Sequence, residues 1–239
     1  MTLLQSLKAG APIISVGALA ADLLALGADI ARLEQTEARL LHFDVMDGCF
    51  VPMLTAGPPL IKAITTTLLK DVHLVVDEPL NKLGDYAAAG ADLITVHVES
   101  CRHPHRVLQM LGAMRHAGDP ERGILRGIAV NPGTPLTVLP PILDLVDMIE
   151  LLGINPGWGG QQFVPSTIER AAEVRQMIRA SGREILLAVD GGITKRNFAK
   201  IATIGADIVV TGSAVFEGDD PAGNIRAMLE TLRGAYAKA

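Results

Sequence analysis

One pattern occurs twice in the chain, first as Leu41-His42-Phe43-Asp44-Val45-Met46-Asp47-Gly48 and later as Ala188-Val189-Asp190-Gly191-Gly192. In each stretch an apolar run typical of a buried strand ends in an acidic residue followed by glycine. His42 and Asp44 are two residues apart, so on a strand they point to the same face. Acidic and imidazole side chains at the carboxyl ends of different parallel strands form the active sites of (β/α)₈ barrels. Both stretches therefore predict strands of such a barrel.

Short aliphatic runs recur along the whole chain without strict alternation, as expected of parallel strands buried on both faces. We predict eight strands, over residues 12–16, 40–45, 72–76, 93–98, 125–130, 148–154, 185–189 and 208–211. Helix-like stretches between them, such as 81–90 and 166–181, are long enough for right-handed crossovers. Glycines predict helix ends at Gly90, Gly182 and Gly205. No linker divides the chain, so we predict an α/β fold, a single-domain (β/α)₈ TIM barrel over residues 1–239.

Two segments depart from the even spacing of the strands. The polar segment 115–123 is predicted to be an exposed loop on the amino-terminal side of the fifth strand. The glycine-rich segment 155–165 follows the sixth strand and is too irregular for a helix. Loops at the carboxyl end of a barrel carry function, so the second segment is a candidate part of a site.

Composition excludes several classes of protein. Hydrophobic residues make up 49% of the 239 residues, yet no run approaches the roughly 18 apolar residues of a membrane helix. The net charge of −5, with mixed signs, argues against a nucleic-acid surface. Cys49 and Cys101 lack the spacing of a metal site and fit a reducing compartment. Because the amino terminus also lacks a secretory signal, we expect a cytoplasmic protein without nucleic-acid or membrane partners.

Four ionisable residues lie in or at the ends of predicted strands: His42, Asp44, His73 and Asp190. An apolar strand gains nothing by burying such groups unpaired, so a shared site is favoured over separate structural roles. Two imidazoles and two carboxylates suit a borderline divalent ion such as Zn²⁺, Mn²⁺ or Fe²⁺. The sequence therefore predicts one metal site, with coordination positions left open for substrate oxygens.

Glycine clusters follow three successive predicted strands. Glycine allows close approach of the backbone to an anion, and the loops after strands seven and eight commonly bind phosphate in barrels. No lysine or arginine lies within the clusters, so we expect backbone amides and helix dipoles to hold the charge. The candidate residues are Gly157, Trp158, Gly159, Gly160, Gly191, Gly192, Gly212 and Ser213.

Other residues give weaker signals. The run Cys101-Arg102-His103-Pro104-His105 looks metal-binding, but such a proline-containing loop is usually solvated. Cys49 could be a nucleophile, although the sequence places no base beside it. His97 and Glu99 share a strand face and could support the metal site from behind or serve only as structural residues.

Taken together, these motifs resemble the ribulose-phosphate 3-epimerase family, a group of ribulose-phosphate-binding barrels. The resemblance covers nearly the whole chain and is carried by residues 42–52, 72–76, 89–99, 131–136, 155–163, 189–192 and 212–216. It implies that Asp44 and Asp190 are the paired acid and base, and that His42, Asp44, His73 and Asp190 hold one divalent metal. It also implies that the glycines and Ser213 bind phosphate, with His73 near the substrate.

The implied reaction is metal-dependent epimerisation at C3 of a ketose phosphate, with D-ribulose 5-phosphate giving D-xylulose 5-phosphate as the leading case. One carboxylate removes the C3 proton to give an enediolate, and the other acid delivers a proton from the opposite face. Since the reaction runs both ways, we expect the pKa values of the two acids to be split by their environments. The resemblance also implies a homo-oligomer, either a dimer or a hexamer.

The substrate wall departs from the family pattern, whereas the metal and acid residues match it. Gly17 stands where the family has a substrate-contacting serine, and Met46 alone keeps the sulfur-rich lining. The other departures are Met53, Val75, Leu152 and Trp158. A sister 3-epimerase for another keto-sugar phosphate, or a non-catalytic sugar-phosphate-binding barrel, therefore stays open. A phosphate-barrel decarboxylase is disfavoured because its strand-three lysine is absent from residues 72–76.

Overall fold

The computed structural model describes residues 1–236 and contains a closed barrel of eight parallel strands. Each barrel strand pairs with the next along the chain, and the last pairs with the first. The prediction of a (β/α)₈ barrel is confirmed. The ten strands of the described part are β1 (Ile13–Gly17), β2 (Leu40–Met46), β3 (Leu69–Val75), β4 (Leu93–His97), β5 (Arg115–His116), β6 (Asp119–Gly123), β7 (Leu125–Val130), β8 (Met148–Leu152), β9 (Leu186–Asp190) and β10 (Ile208–Thr211), of which β5 and β6 lie outside the barrel.

The segment before β7 is an antiparallel hairpin of β5 and β6 and not the loop that the sequence predicted. Its residues are mostly exposed, which explains why the polar composition indicated a loop. His116 pairs with Asp119 across the turn of the hairpin. The Arg122 side chain forms an ion pair with Asp92 and so attaches the hairpin to the residue before β4. The hairpin precedes β7 and so lies away from the carboxyl ends of the strands.

Helices cover the outside of the barrel. In α2, Leu26, Ile30 and Leu33 are spaced to form one buried face. No helix within residues 1–236 is both long and apolar enough to cross a membrane. The helices are α1 (Leu3–Ala9), α2 (Leu26–Leu33), α3 (Pro58–Ala63), α4 (Leu83–Ala88), α5 (Pro104–Ala113), α6 (Thr167–Ser181), α7 (Phe198–Ala202), α8 (Ser213–Phe216) and α9 (Pro221–Tyr236).

The barrel interior has an apolar lower part and a polar upper part. The lower part contains one inward side chain from each of several strands, together with Leu7 of α1. Its strand residues include Ile13, Leu40, Leu93, Leu125, Met148, Leu186 and Ile208. Further along the same strands the buried side chains become polar, namely Ser15, His42, Asp71, His73, Thr95 and Glu150. Polar groups are therefore concentrated towards the carboxyl ends of the strands, where barrels form their sites.

Candidate active site

The four predicted ligands lie together at the carboxyl end of the barrel. His42 and Asp44 extend from β2, His73 from β3, and Asp190 from the last position of β9. One donor atom from each residue lies within 4.8 Å of the others. His73 Nδ1 is 3.2 Å from Asp44 Oδ1 and 3.8 Å from Asp190 Oδ2. Two imidazoles and two carboxylates at this spacing form a candidate site for one divalent cation.

His42 is oriented by residues that the sequence analysis did not select. Its Nδ1 atom lies 2.9 Å from Asp71 Oδ2, and Ser15 donates a hydrogen bond of 2.8 Å to the same oxygen. Its Nε2 atom lies 3.3 Å from Asp44 Oδ1. The sequence contains a signal for this contact. Asp71 lies in the strand that carries His73, and an acidic residue in a buried strand requires a partner.

A second chain of polar groups supports His73. The His97 Nε2 atom lies 2.8 Å from His73 Nε2, and the two rings stack with centroids 4.8 Å apart. The His97 Nδ1 atom lies 3.3 Å from Glu99 Oε2, and Glu99 Oε1 accepts a hydrogen bond from the Asn131 backbone amide. Of the two roles that the sequence left open for His97 and Glu99, this geometry favours support of the site from behind.

The environments of the two acids drive their pKa values apart. Removal from water raises the pKa of Asp190, and the negative charge of Asp44 raises it further, to about 7. The same desolvation acts on Asp44, but the positive potential of His42 and hydrogen bonds from His42 and His73 outweigh it. These contacts hold the pKa of Asp44 far below its usual value. One carboxyl therefore favours its charged form and the other its protonated form, as expected of an acid–base pair.

Glu150 of β8 is a further acidic residue in the barrel interior, and the sequence analysis missed it. Its side chain is completely buried, and its Oε1 atom lies 3.2 Å from His73 Nδ1. Burial raises the pKa of Glu150 well above its usual value. The sequence does contain a signal for it. Glu150 is the single charged residue of the otherwise apolar strand Met148–Leu152, and a glutamate is rarely buried in such a strand.

A cavity of about 210 Å³ opens above the four ligands. Trp158 stands at its mouth with half of its surface exposed. Of the family departures, Met53, Leu152 and Trp158 line this cavity, whereas Val75 is buried outside it. The lining residues are Asp44, Met46, Met53, His73, Leu152, Ile154, Pro156, Gly157, Trp158, Gly159, Asp190 and Gly191. The cavity therefore combines charged groups at its base with an apolar wall.

The remaining glycine-cluster residues lie beside this cavity. A Cβ atom on Gly17 would lie 3.5 Å from Gly212, so the ends of β1 and β10 approach closely. Ser213 lines a neighbouring cleft with Lys195 and Arg196, and Gly192 lines another with Arg196. Cationic side chains therefore lie in the same clefts as Ser213 and Gly192, and the expectation that amides and helix dipoles hold an anion here stays a prediction.

The cysteine- and histidine-containing segment after β4 does not join the cluster of four ligands. Cys101 is buried, and burial raises the pKa of its thiol to about 12, so the thiolate is strongly disfavoured. His103 lies immediately before α5, and His105 lies in its first turn. Cys49 is exposed in the loop after β2. Arg102, His103 and His105 are exposed, as the solvated-loop interpretation predicts, whereas Cys101 is buried and Pro104 and His105 belong to α5.

Comparison with known proteins bears on this geometry. The family model described as the ribulose-phosphate 3 epimerase family matches residues 13–216, which include all four ligands. The chain belongs to the ribulose-phosphate 3-epimerase family. The family that the motifs predicted is thereby confirmed.

Several ribulose-phosphate 3-epimerases are similar to this chain over most of their own length. The ribulose-phosphate 3-epimerase of Escherichia coli K12 is 40% identical over 95% of this chain and 96% of its own. The Bacillus subtilis enzyme of the same name is 39% identical over 84% of this chain and 91% of its own. The chloroplastic ribulose-5-phosphate-3-epimerase of Arabidopsis thaliana is 37% identical over 93% of this chain and 78% of its own.

Solved structures with lower identity share the fold. The crystal structure of KGPDC from Streptococcus mutans has a TM-score of 0.65 at 15% identity, covering 95% of this chain and 99% of its own. Phosphoribosyl anthranilate isomerase from Thermus thermophilus has a TM-score of 0.58 at 17% identity, covering 93% and 98%. At these identities the likeness concerns the barrel alone, and the function is argued from the site.

Proposed function

We propose that this protein is a metal-dependent epimerase that inverts C3 of a phosphorylated ketose, with D-ribulose 5-phosphate and D-xylulose 5-phosphate as the leading pair. The observation that carries the proposal is the pair of carboxyls, Asp44 and Asp190, beside two imidazoles at the base of one cavity. Family membership and the names of the relatives support the same substrate class.

The residues present fit one divalent cation. His42, Asp44, His73 and Asp190 offer one donor atom each within 4.8 Å, and their chemistry suits Zn²⁺, Mn²⁺ or Fe²⁺. A cation held there supplies positive charge that stabilises developing negative charge on substrate oxygens. His42 and His73 are each fixed through their second ring nitrogen, by Asp71 and His97, so their orientation is set before any ligand binds.

Asp44 and Asp190 would move the proton at C3. A ketose carbon beside a carbonyl group releases its proton reluctantly, so a positioned base and acid are needed. Asp44 favours the carboxylate form that accepts a proton, and without a cation the pKa of Asp190 is raised to about 7, a range in which a carboxyl can both hold and release a proton. In the reverse direction the two residues exchange roles, and the configuration at C3 inverts because they act from different sides.

The phosphate would bind at the glycine clusters beside the cavity. Gly157, Gly159 and Gly160 contribute one loop, and Gly191, Gly192, Gly212 and Ser213 contribute the ends of two further strands. Exposed Lys195 and Arg196 line the clefts that contain Ser213 and Gly192, and their charges complement a phosphate. Met46, Trp158 and Gly17 would then contact or border the sugar.

We further propose one barrel domain over residues 1–239, a cytoplasmic location and a homodimer or homohexamer. The closed barrel over the described residues supports the first proposal. The two unpaired cysteines are compatible with a reducing compartment. Light scattering of the purified protein tests the oligomeric state directly.

The decisive experiment follows D-ribulose 5-phosphate in D₂O by NMR with the metal-loaded protein. We expect D-xylulose 5-phosphate to form with deuterium at C3, and both changes to stop after chelation. Turnover without deuterium uptake would contradict proton transfer through these acids. Binding without turnover or exchange would instead support a non-catalytic sugar-phosphate-binding barrel.

A second candidate is a 3-epimerase for another keto-sugar phosphate. The cavity wall favours it, because Met53 and Trp158, two of the departures from the family pattern, line the cavity. A panel of pentulose, hexulose and tetrulose phosphates separates the two candidates by kcat/KM. A preference for a hexulose or tetrulose phosphate of more than about tenfold, or 1.4 kcal/mol, would favour the second candidate.

A further inference from the structure

Glu150 is completely buried, yet neither of its carboxyl oxygens makes a hydrogen bond within residues 1–236. Its neighbours in the sheet offer it no donor. In the parallel register Glu150 lies beside Ala129 of β7 and Ala188 of β9, and side chains in register point to the same face. A buried carboxyl without a hydrogen bond destabilises a fold, and its one close polar contact, with His73 Nδ1, is shared with Asp44.

The carboxyl group is directed towards the candidate cation site. Glu150 Oε1 lies 3.2 Å from His73 Nδ1, the same separation as between Asp44 Oδ1 and that nitrogen. Asp190 Oδ2 is further away, at 3.8 Å. Donor atoms that share one cation are spaced in this way, since each lies about 2.0–2.2 Å from the ion. Glu150 is therefore as close to His73 Nδ1 as Asp44 is, although it does not belong to the group of four residues whose donor atoms all lie within 4.8 Å of one another.

We propose that Glu150 is a further protein ligand of the divalent cation, adding a third carboxylate to His42, Asp44, His73 and Asp190. The inference rests on the proposed cation site but not on the identity of the sugar. Positive charge in the barrel would compensate the buried carboxylate, and the carboxylate would in turn strengthen cation binding.

Metal affinity tests the proposal without reference to turnover. The apoprotein and its Glu150→Gln variant are titrated with Mn²⁺ and with Zn²⁺ in competition with a chelator, and bound metal is counted after dialysis. We expect the variant to bind either ion about 10- to 100-fold more weakly. Glu150→Leu removes the carboxyl with similar volume, and it keeps the test informative if Glu150→Gln does not fold.

Co²⁺ distinguishes a ligand from a distant charge. The visible absorption bands of bound Co²⁺ respond to the number and type of ligands. We expect Glu150→Gln at saturating Co²⁺ to change the position and intensity of these bands. A weaker affinity with an unchanged Co²⁺ spectrum would overturn the proposal, because it would make Glu150 an electrostatic neighbour and not a ligand.

Thr95→Val is the matched control, since Thr95 is another buried side chain of an interior strand whose oxygen lacks a hydrogen-bond partner. We expect its metal affinity and Co²⁺ spectrum to equal those of the wild type. Wild-type affinity in Glu150→Gln, combined with lost affinity in His42→Ala, would overturn the Glu150 proposal and leave the cation site standing. Absence of any metal binding by the wild type would overturn both.

Discussion

The Nδ1 atom of His42 lies 2.9 Å from Oδ2 of Asp71, inside the barrel and away from water. Ser15 donates to the same carboxylate oxygen at 2.8 Å. Because a carboxylate only accepts hydrogen bonds, Nδ1 carries a proton, and Nε2 is the ring nitrogen that faces Asp44 and would face a cation. Asp71, two residues before the predicted ligand His73 on β3, thus selects the tautomer that the site requires.

Replacement of Asp71 tests this orientation. We expect Asp71→Asn to lower the affinity for Zn²⁺ or Mn²⁺ by about 10- to 100-fold, since a neutral amide supports the imidazole less strongly. Ser15→Ala removes only one hydrogen bond to Asp71, so we expect a smaller loss. Chelator competition measures both. Equal affinities for the wild type and Asp71→Asn would contradict the assigned role.

Replacement of either proposed acid abolishes proton transfer. We expect Asp44→Asn and Asp190→Asn each to reduce kcat by at least about 10²- to 10⁴-fold, because an amide neither accepts nor donates the C3 proton. Deuterium uptake from D₂O and epimer formation are followed together by NMR. Exposed Asp144, before β8, provides the control, and Asp144→Asn should behave as the wild type. Near-normal turnover by Asp190→Asn would end the two-acid mechanism.

Removal of metal lowers both stability and turnover. We expect chelation to lower the thermal midpoint and re-addition of Mn²⁺ or Zn²⁺ to restore it. At a free ion concentration of 100 times Kd the gain is about 2.7 kcal/mol. Differential scanning fluorimetry across an ion series measures the effect. A midpoint that does not move with ion concentration would argue against a site in the folded protein.

Gly153, directly after β8, holds the glycine loop against the end of β9. Its amide donates to the Asp190 carbonyl, and a Cβ atom there would lie 2.5 Å from the Gly191 carbonyl oxygen. We expect Gly153→Ala to destabilise the fold by about 1–3 kcal/mol and to lower kcat, since the Asp190 backbone must shift. Gly159 in the same loop has open space around it, so Gly159→Ala should remain near wild-type stability in urea unfolding.

Asp47 couples acid stability to the loop after β2. Partial burial raises its pKa, but hydrogen bonds from Lys82 and from the backbone amides of Cys49, Phe50 and Asp77 outweigh this and lower the pKa to about 2. The unfolded value is about 3.9, so the stabilisation is present above pH 4 and is lost as the pH falls through 2. Since the side chain is partly exposed, we expect about 1 kcal/mol.

The Asp47→Asn variant isolates this contribution. The difference in unfolding free energy between the wild type and the variant should be constant above pH 5 and should shrink between pH 4 and pH 2. Urea unfolding at several pH values measures it. A difference that is independent of pH over this range would show that the Asp47 charge does not contribute.

Much of the site was predictable because it depends on local pattern. The spacing of His42 and Asp44 fixes both on one strand face, and the position of Asp190 at a strand end follows from the glycines after it. Residues inside strands were harder to interpret. Asp71 and Glu150 lie in apolar runs, and only the packed interior shows that Asp71 accepts hydrogen bonds and that the Glu150 oxygens accept none.

The sequence by itself determined the barrel, the four candidate cation ligands and the family, because strand periodicity and short motifs are set by residues close along the chain. Tertiary structure alone decided which distant side chains meet. Pairing of β2 with β3 brings Asp71 to His42, and closure of the sheet brings Glu150 of β8 to His73 of β3. Such contacts depend on strand register and on the side chains of several strands filling one interior, which no local pattern encodes.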